Sequence, residues 1–174
     1  MEENNYAVVS KKQRNAIIIS VFTVLIIVIF IVIIILANKP EEKYLSLGDS
    51  AVISNWEISV VDKRIENNSN ETKISVLVQA KNTGTLTNYF LGDFPLNSGD
   101  VAITLIYSID NIDYKYNASY GYSNELYGGI VALDTKEDYI NFTVPSGVNL
   151  NEGSLILKIT ENKTNYYTVL FWKL

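Results

Sequence analysis

Between Ala16 and Ala37 lie 22 residues without a single charge, mostly Ile, Val, Leu and Phe, with Ser20 and Thr23 as the polar interruptions. At about 1.5 Å of rise per residue this run makes roughly 33 Å of helix, enough to cross a hydrocarbon core of about 30 Å. The chain is therefore expected to carry one N-terminal transmembrane helix over residues 16–37, and everything else must be read separately from it.

Lys11, Lys12 and Arg14 precede the run, whereas Lys39, Glu41, Glu42 and Lys43 just after it nearly cancel. The positive-inside bias then leaves residues 1–15 in the cytoplasm and sends the C-terminal part outside. A cleaved signal peptide shares the basic start, but its apolar core usually spans about 7–15 residues and ends in a small-x-small site. Here Ile35 sits two positions before Ala37, so an uncleaved anchor, single-pass in the cell membrane, is the expectation. Residues 38–43, with Pro40 and four charges, read as a short exposed linker.

Residues 44–174 read as one extracytoplasmic domain, large enough to bury a core without staples. It has to be, because the chain contains no cysteine, which excludes a disulfide framework, a lipidated cysteine and a thiolate nucleophile. Beyond residue 37 there are 11 Lys and Arg against 17 Asp and Glu, without long blocks of one sign. Nucleic acid and anionic lipid headgroups, which need clustered positive charge, are poor partners on that count.

After the helix the apolar period is two. Trp56, Ile58 and Val60 alternate with Glu57, Ser59 and Val61, and Ile74, Val76, Val78 and Ala80 alternate with Ser75, Leu77, Gln79 and Lys81. These segments predict two half-buried strands. Asn67-Asn68-Ser69-Asn70 between them is turn chemistry, giving a hairpin with a long loop over Glu66 to Thr72. Ala102–Ser108 and Tyr114–Asn117 flank Asp110-Asn111, a pair suited to a tight turn. Further strands are expected at Tyr139–Val144, Ser154–Thr160 and Tyr167–Leu174. Seven or eight short strands rich in β-branched and aromatic residues predict an all-β, antiparallel sandwich. Trp56, Ile58, Val76, Val78, Leu105, Phe142 and Leu157 are the expected core.

The strand Ile74-Ser75-Val76-Leu77-Val78 runs into Ala80-Lys81-Asn82-Thr83-Gly84, and Leu133-Asp134 leads into Tyr139-Ile140-Asn141-Phe142-Thr143-Val144-Pro145. Together these stretches resemble the immunoglobulin-like extracytoplasmic domains of prokaryotic surface proteins of unknown function, over roughly residues 44–174. Asp134-Thr135-Lys136-Glu137 stands where such domains carry a Pro-Gly pair. The resemblance implies an immunoglobulin-like sandwich and is silent on activity. Physically, Asn82 and Gly84 are residues that tolerate the positive φ of a turn out of a strand.

The chain also contains no histidine, so Ser-His and Cys-His nucleophiles and the usual zinc ligand sets are excluded. Carboxylate chemistry or a Ser-Lys pair survives, but no spacing singles out a pair. Asp110-Asn111-Ile112-Asp113 lacks the alternating ligands, central Gly and distal Glu of a calcium loop, and Gly128-Gly129 lacks the pattern of a phosphate loop. No catalytic residue, cofactor or metal site is expected. Sequons at Asn67, Asn70, Asn117, Asn141 and Asn162 matter only if the host glycosylates its surface proteins.

The unusual local composition is Tyr107 to Tyr127, which holds six of the twelve tyrosines. Tyrosine offers a flat apolar face with a polar tip, and beside Asn117, Asn124 and Glu125 it suits a shelf for sugars or a protein partner. It also suits plain strand filling. Tyr114 and Tyr116 would share one strand face and Tyr120 and Tyr122 another, making these four the candidate ligand contacts. The chain reads as a non-catalytic surface module, held in the membrane by residues 16–37, with a protein or cell-envelope glycan as partner. An accessory subunit of a membrane complex and a carboxylate enzyme are the alternatives.

Overall fold

The computed structural model describes residues 10–37, 40–93, 97–119, 123–146, 148–161 and 168–174. The chain divides into two compact units, Met1–Lys39 and Pro40–Leu174. In the first, a single helix α1 spans Lys11–Ala37 and so begins before the uncharged run. The cause is local: Ser10 Oγ accepts the Gln13 N–H at 3.3 Å while Gln13 Oε1 accepts the Ser10 N–H at 3.0 Å. This reciprocal capping box satisfies two amides ahead of the apolar residues. With a mean hydropathy of 3.6 in its most apolar stretch, α1 is long and apolar enough to cross a membrane. Thr23 donates its hydroxyl to the Ile19 carbonyl at 2.9 Å, so that polar atom needs no water.

The second unit is a β-sandwich. Its strands are β1 (Glu41–Ser46), β2 (Ser50–Ile53), β3 (Trp56–Asn67), β4 (Glu71–Asn82), β5 (Val101–Ile109), β6 (Ile112–Asn117), β7 (Thr135–Pro145), β8 (Ser154–Glu161) and β9 (Thr168–Lys173). One sheet has the order β7-β4-β3-β2 and the other β1-β9-β8-β5-β6. Asn88–Tyr89 and Gly129–Ile130 add a two-residue pairing, as do Gly92–Asp93 and Asn97–Ser98.

Period-two burial organises the core as the alternation predicts. All seven expected core residues, Trp56 to Leu157, are at 0% exposure. Ile58, Val60, Val76, Val78, Ile140 and Phe142 of one sheet share a single apolar cluster with Ile103, Leu105, Leu157, Ile159 and Trp172 of the other. Both tryptophans enter it with their indole N–H groups satisfied: Trp56 donates to Asp100 Oδ2 at 3.0 Å and Trp172 to the Asp49 carbonyl at 3.3 Å. No buried side-chain nitrogen or oxygen lacks a partner among the described residues.

Four local expectations are corrected. Glu41–Lys43 are not an exposed linker but the start of β1, which pairs in parallel with β9 from Glu41↔Thr168 onward. A pairing partner that distant leaves no trace in a local charge pattern, and it makes the sandwich mixed rather than wholly antiparallel. The β3-β4 loop is short, because both strands extend and Asn67 pairs with Thr72, with Asn68 donating to the Glu71 carbonyl at 2.9 Å. β3 also carries a bulge between Val60 and Asp62, which ends its burial and leaves Val61 exposed. By contrast, Asp110 and Asn111 have φ of 52° and 63°, the two positive values that a tight β5-β6 hairpin needs.

The fourth correction concerns Asn82 and Gly84, neither of which has positive φ. Asn82 is fully buried. Its Nδ2 donates to the Leu86 and Ile130 carbonyls at 2.7 and 2.8 Å, and its Oδ1 accepts from the Gly84 N–H and Asn88 Nδ2 at 2.9 and 3.0 Å. Its backbone exchanges bonds with Leu133 and Asp134 at 2.9 and 3.0 Å. The two stretches that carry the family resemblance thus meet at the backbone of one residue. A Cβ at Gly84 would crowd this network, lying 2.8 Å from Asn88 Nδ2 and 3.1 Å from Asn82 Oδ1.

Candidate functional site

β6 is an edge strand, paired with β5 on one side, so its inward residues lie where the core runs out. Register places Tyr114 opposite Tyr107 and Tyr116 opposite Leu105. Tyr107 and Leu105 are buried, so Tyr114 and Tyr116 share the core-facing side, as their spacing predicts. Tyr107 is 2% exposed and Tyr114 46% exposed, with ring centroids 6.4 Å apart and tilted by 31°. Burial first, and then the neighbouring Tyr114 and Tyr107, raise the Tyr116 phenol above its ordinary pKa.

The loop before β8 closes the other side. The Tyr107 hydroxyl donates to the Asn149 carbonyl at 2.6 Å, and Asn149 Nδ2 donates to Glu152 Oε1 at 2.8 Å. Gly153 lets this loop approach, since a Cβ there would lie 2.5 Å from both the Ser108 carbonyl oxygen and the Tyr107 ring. The result is a cleft of about 300 Å³ lined by Tyr107, Ile109, Tyr114, Tyr116, Val148, Asn149 and Glu152. Its wall is aromatic and aliphatic, its rim carries an amide and a carboxylate, and Glu152 is the one carboxylate among those lining residues. Such a surface holds a flat, partly apolar group and fixes it with a few hydrogen bonds.

Tyr107, Tyr114 and Tyr116 are brought together, whereas Tyr120 and Tyr122 lie outside the described residues. Asn124 and Glu125 do not join the cleft. Asn124 is buried, donating to the Tyr139 carbonyl at 3.0 Å and accepting from the Leu126 N–H at 2.9 Å. Glu125 lies 3.9 Å from Lys136. The cleft's second wall, Val148 to Glu152, is missed by sequence reasoning, and only the flanking Gly153 signalled it. Asp113 accepts the Ser108 hydroxyl, and no group of three His, Cys, Asp or Glu is placed to hold a metal among the described residues. Of the sequons, Asn141 accepts the Ser75 hydroxyl at 2.7 Å within the β7-β4 ladder, while Asn162 lies outside the described residues.

No protein-family model matches the chain, and no curated protein matches it. Among solved structures it is similar to the crystal structure of an uncharacterized β-sandwich protein from Clostridium difficile 630. The TM-score is 0.56 at 17% identity, over 78% of this chain and 96% of that one. The likeness concerns the fold alone.

Proposed function

We propose that the chain is a single-pass membrane protein whose N-terminus is cytoplasmic and whose immunoglobulin-like sandwich acts outside the cell as a non-catalytic binding module. Its partner, another protein or an envelope glycan, seats a flat group in the tyrosine cleft. The observation that carries this reading is the exposure of Tyr114 at an inward-facing position, directly opposite a Tyr107 that is 2% exposed. Tyr114 stands outside the core cluster and borders the open cleft. An aromatic pair beside Glu152 and Asn149 keeps contact area available at low conformational cost.

The test uses the full chain, solubilised in detergent from its own membranes, with Tyr114→Ser/Tyr116→Ser as the comparison and tryptophan fluorescence as the folding control. A partner that co-purifies with the wild type and is lost from the folded variant supports the cleft; equal retention by both overturns it. Topology is checked separately, because the chain has no native cysteine. A single Asn70→Cys variant should react with a membrane-impermeant maleimide on intact cells, and protection until lysis would reverse the orientation.

A further inference from the structure

The two outer faces of the sandwich differ in kind. On the face of β7-β4-β3 several polar groups satisfy one another, although Lys73 has no ion pair among the described residues. Ser75 donates to Asn141, Gln79 to Glu137 at 3.2 Å, and Lys81 lies 3.4 Å from Glu57. Arg64 pairs with Asp62 at 3.5 Å and stacks over Tyr139 at 4.4 Å.

On the other face, register sets Lys173, Ile156, Ile106 and Lys115 side by side across β9, β8, β5 and β6. The adjacent row reads Tyr44, Phe171 and Lys158 across β1, β9 and β8. Tyr44 and Phe171 stack with centroids 4.9 Å apart and planes within 11°, and Lys158 Nζ lies 5.9 Å from the Phe171 ring. Tyr44 remains 72% exposed. Beside this stack runs a groove of about 400 Å³ whose lining includes Tyr44, Ile156, Phe171 and Lys173. None of Lys115, Lys158 and Lys173 is ion-paired among the described residues. Two carboxylates share this face with the lysines, Glu42 accepting the Tyr44 hydroxyl at 3.1 Å and Asp113 accepting that of Ser108.

We infer that this face binds an anionic polysaccharide, with the acidic groups on Lys115, Lys158 and Lys173 and a sugar ring on the Tyr44–Phe171 stack. A chain of net charge −5 repels polyanions at long range, so three unpaired lysines gathered on one face mark where a negative ligand is accepted. Their spacing fits a polymer with charges at intervals, since Lys115 and Lys173 stand three strand separations apart, about 14 Å. The aromatic stack at the β1-β9 edge, next to Lys158 and Lys173, selects a flat apolar surface, which the C–H face of a pyranose supplies and a bare carboxylate side chain does not. Charge alone, read along the sequence, argued against a polyanion site; the sheet assembles what the sequence scatters. This site is separate from the tyrosine cleft.

The test measures retention of the full chain, in non-ionic detergent micelles, on immobilised hyaluronan, with neutral dextran and poly-glutamate as parallel surfaces. Binding to hyaluronan at about 50 mM salt, lost near 500 mM and absent on dextran, is expected. Lys115→Ser/Lys158→Ser/Lys173→Ser should weaken it on the order of tenfold or more. Tyr44→Ala, at an exposed position that leaves folding intact, should weaken it several-fold without changing the salt response. Tyr114→Ser/Tyr116→Ser should bind as wild type, which separates this face from the cleft. No retention on hyaluronan, equal retention on poly-glutamate, or wild-type binding by the lysine variant would each overturn the inference.

Discussion

Asn82→Ala removes one side chain that four hydrogen bonds converge on. The Ile130 carbonyl belongs to a residue 1% exposed and has no water to replace the lost donor. The Gly84 N–H, on a half-buried residue, is less strictly confined. Each unsatisfied buried group costs about 1–3 kcal/mol, whereas the Leu86 carbonyl, on a residue 73% exposed, can turn to solvent. One stranded carbonyl, a half-buried N–H and a small cavity give a loss of about 3 kcal/mol, a large part of the roughly 5–15 kcal/mol that stabilises a domain. Asn82→Asp should be no milder, because its carboxylate would face two carbonyl oxygens. The assay is urea unfolding of the full chain in micelles, followed by the two fully buried tryptophans, Trp56 and Trp172. A midpoint within about 1 kcal/mol of wild type at unchanged slope would refute the claim that this asparagine ties β4 to the segment before β7.

Val76→Asp buries an unpaired charge at 0% exposure and should abolish the cooperative melt; a normal circular-dichroism melt would put the β4 register off by one. Gly153→Ala drives a methyl into Tyr107 and the Ser108 carbonyl, so it should lower stability by about 1–3 kcal/mol. The same change should weaken partner binding, by prising the 148–152 wall from the tyrosines. Tyr116 has its phenol pKa raised by burial, so the folded state favours its neutral form. That stabilisation is fully present below the unfolded value of about 10 and is lost as pH rises through the folded value. Thermal midpoints should therefore fall above pH 10, and less steeply in Tyr116→Phe; part of the fall will remain, because burial and the bond to Asp62 raise Tyr139 as well.

The core was legible because alternation and burial are the same fact seen twice: Val76 and Val78 had to face inward once Ser75, Leu77 and Gln79 faced out. The β5-β6 turn was legible for a related reason, since Asp110-Asn111 states its own backbone geometry. Half of the cleft could be read, as Tyr114 and Tyr116 share a face in any strand. Which face, and what lay across from it, depended on pairing with Tyr107 and on a loop whose Asn149 is 42 residues from it, and pairing is not a local property. Asn82 shows a different limit. Its residue type fits a turn or a buried hub equally well, and only the convergence of Leu86, Asn88 and Ile130 decides between them.

The parallel ladder between β1 and β9 has a consequence for assembly. It joins the strand that follows α1 to one near the far end of the domain, and the Trp172–Asp49 bond beside it spans 123 residues. Closing so long a loop adds little to the equilibrium cost, since each doubling of length is worth only about 0.6 kcal/mol, but contacts of this separation form slowly. The β2-β3-β4 meander and the β5-β6 hairpin can be in place while β9 still offers an open edge, the feature that recruits stray strands and seeds aggregation. β1 ends at Ser46 and β2 begins at Ser50, and this short link to the meander keeps the correct strand at high local concentration and leaves strangers little time. That link thus serves as a chaperone supplied in cis, and a form of the domain lacking β1 would be expected to aggregate before it unfolds.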